Sequence, residues 1–199
     1  MRNILYLLTL ILIFNTASLW ANTNNQINKI RKLYNQAEEL NKLTYSHHEV
    51  TLNTMLPAMD HIKIKVRFIF SSSQNDPEKD PYLLSYSLKK VVVEYNVAAR
   101  EKHHFEYLYN EKNALVFAYH NIDGSDGKFE YRYYYDKNHL IKVIALENPF
   151  KNNPEEKLIK RQALNNFNRK DKTDADVIKK KAQNYLAFFQ NLKNLGEIK

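Results

Sequence analysis

Phe105-Glu106-Tyr107-Leu108-Tyr109-Asn110-Glu111-Lys112-Asn113-Ala114-Leu115-Val116 and Phe129-Glu130-Tyr131-Arg132-Tyr133-Tyr134-Tyr135-Asp136-Lys137-Asn138-His139-Leu140-Ile141 are two versions of one pattern. Each opens Phe-Glu-Tyr-x-Tyr, passes through an acidic-Lys-Asn triplet and enters an aliphatic run. Asn tolerates a left-handed backbone, so each triplet predicts a three-residue hairpin loop, a type I turn followed by one αL residue. That loop length sets the register. Tyr109 then faces Leu115, Tyr107 faces Phe117 and Phe105 faces Tyr119. In the second hairpin Tyr133 faces Ile141, Tyr131 faces Val143 and Phe129 faces Ala145. Phe105, Tyr107, Phe117, Phe129, Tyr131 and Val143 are therefore expected together on one buried face. Asp123-Gly124-Ser125-Asp126-Gly127 joins the hairpins as a turn, which gives an antiparallel meander.

The flanks extend the meander and supply its cover. Ile62, Ile64, Val66, Phe68 and Phe70 alternate with Lys63, Lys65 and Arg67, a strand over His61 to Phe70. Ser71 to Pro81 reads as a loop, and Tyr82 to Val97 as one long strand or two short ones. Ser46 to Glu49 reads as a connector before a strand at Val50-Thr51-Leu52, limited by Pro57. Ile27, Ile30, Leu33, Tyr34, Ala37 and Leu40 recur at helical spacing, predicting an amphipathic helix that ends near Thr44. Asn153-Pro154-Glu155-Glu156 has the composition of a helix start, with the helix running to about Phe167. Ile178, Ala182, Tyr185, Leu186, Phe189 and Leu192 define another helix, opening at Thr173. The predicted fold is α+β: an antiparallel β-meander with one face covered by N-terminal and C-terminal helices.

Residues 1–21 read as a secretory signal peptide. Met1-Arg2-Asn3 is the charged start, Ile4 to Phe14 the apolar core, and Thr16 to Ala21 the small-residue cleavage region. The apolar core is short for a ~30 Å hydrocarbon layer, which needs roughly 20 residues. Cleavage after Ala21 would leave 22–199 as a single α+β domain, exported to the periplasm or beyond and not an integral membrane protein.

Composition narrows the function. The formal charge is +8, and only Arg2 of the basic residues lies in the leader. A basic exported protein is drawn to anionic surfaces, lipid head groups or acidic glycans. The charge is dispersed, Lys179-Lys180-Lys181 being the only run of three, and export argues against nucleic acid as a partner. The absence of cysteine excludes thiolate chemistry. With three glycines in total, phosphate loops, dinucleotide turns and nucleophile elbows cannot be built. Fourteen tyrosines and ten phenylalanines suit an aromatic β-rich core.

No residue pattern identifies a catalyst. The seven histidines lack ligand spacing, and His103-His104 on a strand point to opposite faces, so no metal or other cofactor is expected. Counting an EF-hand from Asn121 puts Asp126 at the glycine position and Arg132 at the acidic one, so an Asp-Gly turn is the better reading. Glu106 and Glu130 occupy matching places, and a solvated face explains them better than a paired-carboxylate site. Tyr134 falls on the face opposite the aromatic stripe, with Arg132, Leu140 and Lys142. Val116, Ala118, His120, Ile144 and Leu146 fall there too, and that face is too apolar to be wholly solvated. It is either covered by more chain or is a binding surface, with Tyr134, Arg132, Lys142 and His120 as the candidate ligand contacts. The expected function is a non-catalytic binding or accessory protein for lipid, peptide or glycan. The alternative is a small hydrolase using carboxylates or histidines from separate strands.

Tyr133-Tyr134-Tyr135-Asp136-Lys137-Asn138-His139-Leu140-Ile141-Lys142-Val143 resembles one hairpin of the tyrosine-aspartate repeat proteins, which carry Gly where His139 stands. The helix–meander–helix order as a whole resembles small exported proteins of Gram-negative bacteria. Neither resemblance implies a catalytic residue.

Overall fold

The computed structural model describes residues 2–55, 61–74, 84–97, 101–125, 127–148 and 159–195, with side chains in the first helix from Asn22 onward. That helix, α1, spans Arg2–Asn41. Eight strands follow among the described residues: β1 (His47–Met55), β2 (His61–Gln74), β3 (Leu84–Val97), β4 (Glu101–Tyr109), β5 (Leu115–Gly124), β6 (Gly127–Asp136), β7 (His139–Asn148) and β8 (Ile159–Leu164). Helix α2 (Arg169–Asn194) follows β8. The strands form one antiparallel sheet in sequence order, the α+β meander anticipated from the two hairpins. Among the described residues no helix is long and apolar enough to cross a membrane.

The helices divide the two faces of the sheet between them rather than sharing one. Ala175, Ile178, Ala182, Phe189 and Leu192 of α2 pack against Val66, Phe68, Val91, Phe105, Tyr107 and Tyr133. Ile27, Ile30 and Ala37 of α1 pack against Leu108, Val116, Phe117 and Tyr134 on the other side. The reason is that both faces are apolar. A sheet with two apolar faces needs a layer on each, so more chain does cover the Tyr134 face, and that chain is α1.

Two bulges explain how the sides were allotted. The first loop is as anticipated: Asn110 N–H donates to the Ala114 carbonyl at 3.0 Å, and Asn113 has φ 56. The Asn110 side-chain oxygen accepts from the N–H groups of Lys112 and Ala114 at 2.9 and 3.0 Å, which tightens the turn. Tyr109 pairs with Leu115, but Leu108 pairs with Phe117, so Val116 is an extra residue. Beyond it the register slips by one. Tyr107 faces Ala118 and Phe105 faces His120, and Phe117 turns toward α1.

The second loop is one residue shorter than expected. Asp136 pairs with His139, and Lys137 and Asn138 take φ 46 and 67, a two-residue type I′ turn. Tyr135 pairs with Leu140 and Tyr134 with Lys142, so Ile141 is extra. The shorter loop and the bulge each shift the pairing by one, and together they restore its parity. Tyr133 meets Val143 and Tyr131 meets Ala145. Leu140 packs with the α2 face, not with Tyr134. Phe129 and Tyr131 are only partly buried.

The C-terminal region differs more. The expected helix start at Asn153 lies outside the described residues, as do Pro57 and most of the 71–81 loop. Ile159–Leu164, read as the end of that helix, is strand β8 paired with β7. An unpaired β7 would leave its backbone groups open at the edge, and β8 satisfies them. Arg161 on β8 makes two 2.6 Å hydrogen bonds to the buried Asp171. Asn168 caps the same helix turn by accepting from the Asp171 N–H at 2.7 Å. Strand pairing also takes in His47-His48-Glu49, read as a connector, and Ser71–Gln74, read as loop.

Candidate functional site: the groove between helix α1 and the sheet

Two of the four candidate residues, Arg132 and Tyr134, line one groove, and a third, Lys142, lies beside it. Ile30, Arg31, Tyr34 and Asn35 of α1 face Phe117 and Tyr119 of β5 and Arg132 and Tyr134 of β6 across a groove of about 400 Å³. Helical spacing puts Ile30 and Tyr34 one turn apart over the sheet. The Val116 bulge turns Phe117 into the groove, where its ring lies 5.0 Å from Tyr134 and 5.8 Å from Tyr34. The floor is thus aromatic.

The rim is cationic. The Arg132 guanidinium lies 5.8 Å from the centre of the Tyr119 ring and bonds Glu130 at 3.3 Å. Lys142, paired with Tyr134 across β6 and β7, holds its ammonium 5.9 Å from the Tyr134 ring. Arg31 reaches only the Asn28 side chain, at 3.4 Å. Among the described residues neither Arg31 nor Lys142 has a carboxylate partner. Burial lowers the Lys142 pKa, and the charges of Arg31 and Lys160 lower it further, as expected where cations gather without counterions.

A charged clamp fixes α1 beside the groove. Lys90 is 1% exposed. Its ammonium pairs with Glu38 of α1, with Glu106 at 3.0 Å and with the Tyr34 hydroxyl at 3.3 Å, and lies 4.4 Å over the Tyr34 ring. Tyr34 donates to Glu106 at 2.8 Å. His104 bonds the other Glu106 oxygen at 2.9 Å and Glu94 at 3.0 Å. Burial pushes the Glu106 carboxyl up, but His104 and Lys90 together hold it below its ordinary range. The Glu106 hydrogen bond raises the His104 pKa against the effect of burial. Burial, then the Glu106 charge, raises the Tyr34 hydroxyl. Glu106 is therefore a buried partner of Lys90 rather than a solvated strand residue.

His120 is not part of this groove. The Val116 bulge turns it to the α2 face, where its ring stands edge-on to Phe105 at 4.4 Å and near Tyr133 at 6.1 Å. Burial, with Lys181 nearby, pushes its pKa down to about 3. Ala118, expected beside Tyr134, is likewise on the α2 side. His103 and His104 do point to opposite faces, as strand geometry requires. No three metal-ligating side chains converge among the described residues.

Sequence reasoning missed Arg31, Tyr34 and Lys90. Arg31 and Tyr34 reach the site only because α1 lies on a face of its own. Lys90 left one usable signal: it is a charge next to Val91-Val92-Val93 in a strand whose neighbours are apolar. Comparison of the chain with protein-family models, with curated proteins and with solved structures finds no match.

Proposed function

We propose that the chain is exported to the periplasm and acts there as a non-catalytic binding protein, holding an anionic amphiphile between α1 and the sheet. The observation that carries this reading is that Arg31 and Arg132 line the groove with Tyr134 and Lys142 stands 5.9 Å from its ring, while among the described residues Arg31 and Lys142 have no carboxylate partner. Ile30, Phe117 and Tyr134 offer apolar surface to a hydrocarbon or ring system. The guanidinium groups offer planar donors that match a carboxylate or phosphate. The described residues of α1 that pack on the sheet begin at Ile27, downstream of the expected cut after Ala21, so a cleaved chain keeps the groove.

The test is titration of the mature chain with lysophosphatidylglycerol and, separately, with zwitterionic lysophosphatidylcholine. Preference for the anionic probe, weakened at least about tenfold by Arg31→Gln combined with Arg132→Gln, is expected. Equal affinity for both probes, or an unaffected double variant, would overturn the reading. N-terminal sequencing of exported protein should begin at or near Asn22.

A further inference from the structure

The two edges of the sheet are built differently. Among the described residues β1 pairs only with β2 and β8 only with β7, so each leaves one side of its backbone open. Open edges invite pairing with another chain, and proteins blunt them by shortness, bulges, proline or cations. β8 has six residues and carries Lys160 and Arg161. β1 has nine residues without Lys, Arg or Pro, and meets β2 in an unbroken register. Its one carboxylate, Glu49, is already paired with Arg67 at 3.1 Å and Lys65 at 3.9 Å. Leu52 is 41% exposed. β1 thus carries none of the devices that protect β8.

The register shows which backbone groups are open. Phe70 N–H donates to the Ser46 carbonyl at 2.9 Å. Hydrogen-bonded and non-hydrogen-bonded pairs alternate along an antiparallel ladder. His48, Val50, Leu52 and Thr54 therefore direct their backbone groups to β2, and His47, Glu49, Thr51, Asn53 and Met55 direct theirs outward. Side chains alternate with the same period. Val50 packs against the α2-side core, and Leu52, opposite Ile64, shares that face. Thr54 on the same face lines a hollow of about 640 Å³ beside α2, whose other walls include Tyr95, Phe105, Tyr107 and Tyr185.

We propose that β1 is a dimer interface: a second copy of this chain adds its own β1, antiparallel, about a two-fold axis at Thr51. Thr51 is the midpoint of the strand, so this register uses all nine residues. It also matches open backbone groups to open backbone groups. Thr51 exchanges both its bonds with the second copy's Thr51, and Glu49 does so with the second copy's Asn53. Val50 stands opposite the second copy's Leu52 at the closer, non-hydrogen-bonded spacing, which gives the exposed Leu52 an apolar partner. No two like charges meet, since the one carboxylate faces an amide. His48 comes opposite Thr54, at the rim of the aromatic hollow. This self-match favours a second copy over a foreign strand: one axis aligns the open backbone groups, the apolar positions and the charge together. It also closes after two copies, whereas β1 of one copy on β8 of the next would build an open-ended row. The interface is separate from the α1 groove and does not depend on it.

The test is sedimentation of the mature chain over about a hundredfold range of concentration, up to about 100 µM. Monomer should pass to dimer, with no larger species. Thr51→Pro removes the N–H that points to the second copy and leaves the β1–β2 ladder untouched, and should weaken the dimer at least about tenfold. Thr51→Lys, at an exposed position, sets two ammonium groups face to face on the axis. It should weaken the dimer at least about fivefold and serves where Thr51→Pro fails to fold. The chain has no cysteine, so one introduced thiol can form a disulfide only with another copy. Under oxidised glutathione Thr51→Cys should cross-link at least about tenfold faster than Asn53→Cys, because only the first faces its own equivalent. A monomer throughout the range, or species larger than a dimer, would overturn the proposal. So would equal cross-linking of the two cysteine variants, or an undiminished dimer in whichever of the proline and lysine variants fold.

Discussion

The two faces of the sheet hold their helices by different chemistry. On the α1 face a buried lysine, two carboxylates and a tyrosine hydroxyl tie the helix down, and the groove beside them is cationic. On the α2 face the contact is mostly apolar, with one ion pair, Arg161–Asp171, at the first turn of the helix and two hydroxyls as clips further along. Tyr109 donates to the Ala182 carbonyl at 2.7 Å and Tyr135 to the Ala175 carbonyl at 3.1 Å. One sheet therefore carries two aromatic clefts of different charge, the one beside α1 rimmed by cations. Alternation along each strand keeps the two chemistries apart although they are built from adjacent residues.

The largest expected effect tests the clamp. Lys90→Met preserves much of the volume but leaves Glu106 stranded on His104 and the Tyr34 hydroxyl alone in a buried site, and should cost about 3–5 kcal/mol in denaturant melts. Adding Glu106→Gln removes the stranded charge and should recover part of that loss. If the double variant were no better than Lys90→Met, packing rather than charge would hold α1, and the contrast between faces would weaken.

Acid should then separate the faces. Folded His120 titrates near 3 against about 6.5 when unfolded, so the unfolded chain binds the extra proton between these values. Stability on this account is complete above pH 6.5 and falls as the pH drops toward 3, by up to about 5 kcal/mol at the limit. His104 has the opposite sign. Its pKa is raised, so its contribution is full below 6.5 and lost as the pH rises through its folded value. Glu106, lowered, contributes above about 4.5 and loses that contribution as the pH falls through its folded value. His120→Phe should flatten the acid limb of stability against pH, and His104→Gln the alkaline one. An unchanged acid limb in His120→Phe would mean that the imidazole is already hydrated in the folded chain.

Smaller still is the effect of the α2 clips. Tyr109→Phe and Tyr135→Phe should each cost about 0.5–1.5 kcal/mol, the net worth of one hydrogen bond. The helix carbonyls they leave belong to a helix interior, so nothing is left wholly unpaired. A much larger loss for either would show that the hydroxyls, not the rings, seat α2.

Much of this architecture was legible because alternation and helical spacing are local properties. The Phe-Glu-Tyr-x-Tyr repeats gave the meander, and the spacing of Ile27 to Leu40 gave a helix with one apolar stripe. Which face that helix would take was not legible. Both faces of the sheet are apolar, and nothing in either helix pattern names its partner. The bulges at Val116 and Ile141 were equally hidden, because an inserted residue between two apolar neighbours does not break an apolar run. Their consequences were unequal. At Ile141 the bulge and a shorter loop cancelled, and the pairing of Tyr133 with an aliphatic residue survived. At Val116 nothing cancelled, and His120 moved from the proposed groove to the opposite face. The β8 segment misled for another reason. Its sequence, Ile-Lys-Arg-Gln-Ala-Leu, is sound helix material, and the open edge of β7 overrode it.

The smallest effect bears on the register itself. In the two-residue turn Lys137 sits at φ 46, where a side chain costs about 1–2 kcal/mol and glycine costs nothing sterically. Lys137→Gly should therefore stabilise the chain by about 0.5–1 kcal/mol, the strain relief being partly offset by the freer unfolded chain. In the three-residue loop suggested by the Asp-Lys-Asn triplet, Lys137 would lie in the type I turn at negative φ. The same substitution would then destabilise by about 0.5–1 kcal/mol. The sign of this one change thus separates two registers. The first sets Lys142 opposite Tyr134, completing the cationic rim of the α1 groove. The second would set Lys142 opposite Arg132, drawing the ammonium away from the ring it now covers. Asn113 in the other hairpin is the internal control. It already has a residue suited to φ 56, so Asn113→Gly should change stability by only a few tenths of a kcal/mol. A clear gain at Lys137 with little change at Asn113 would fix the two loops as different in kind, and with them the partition of tyrosines between the two clefts.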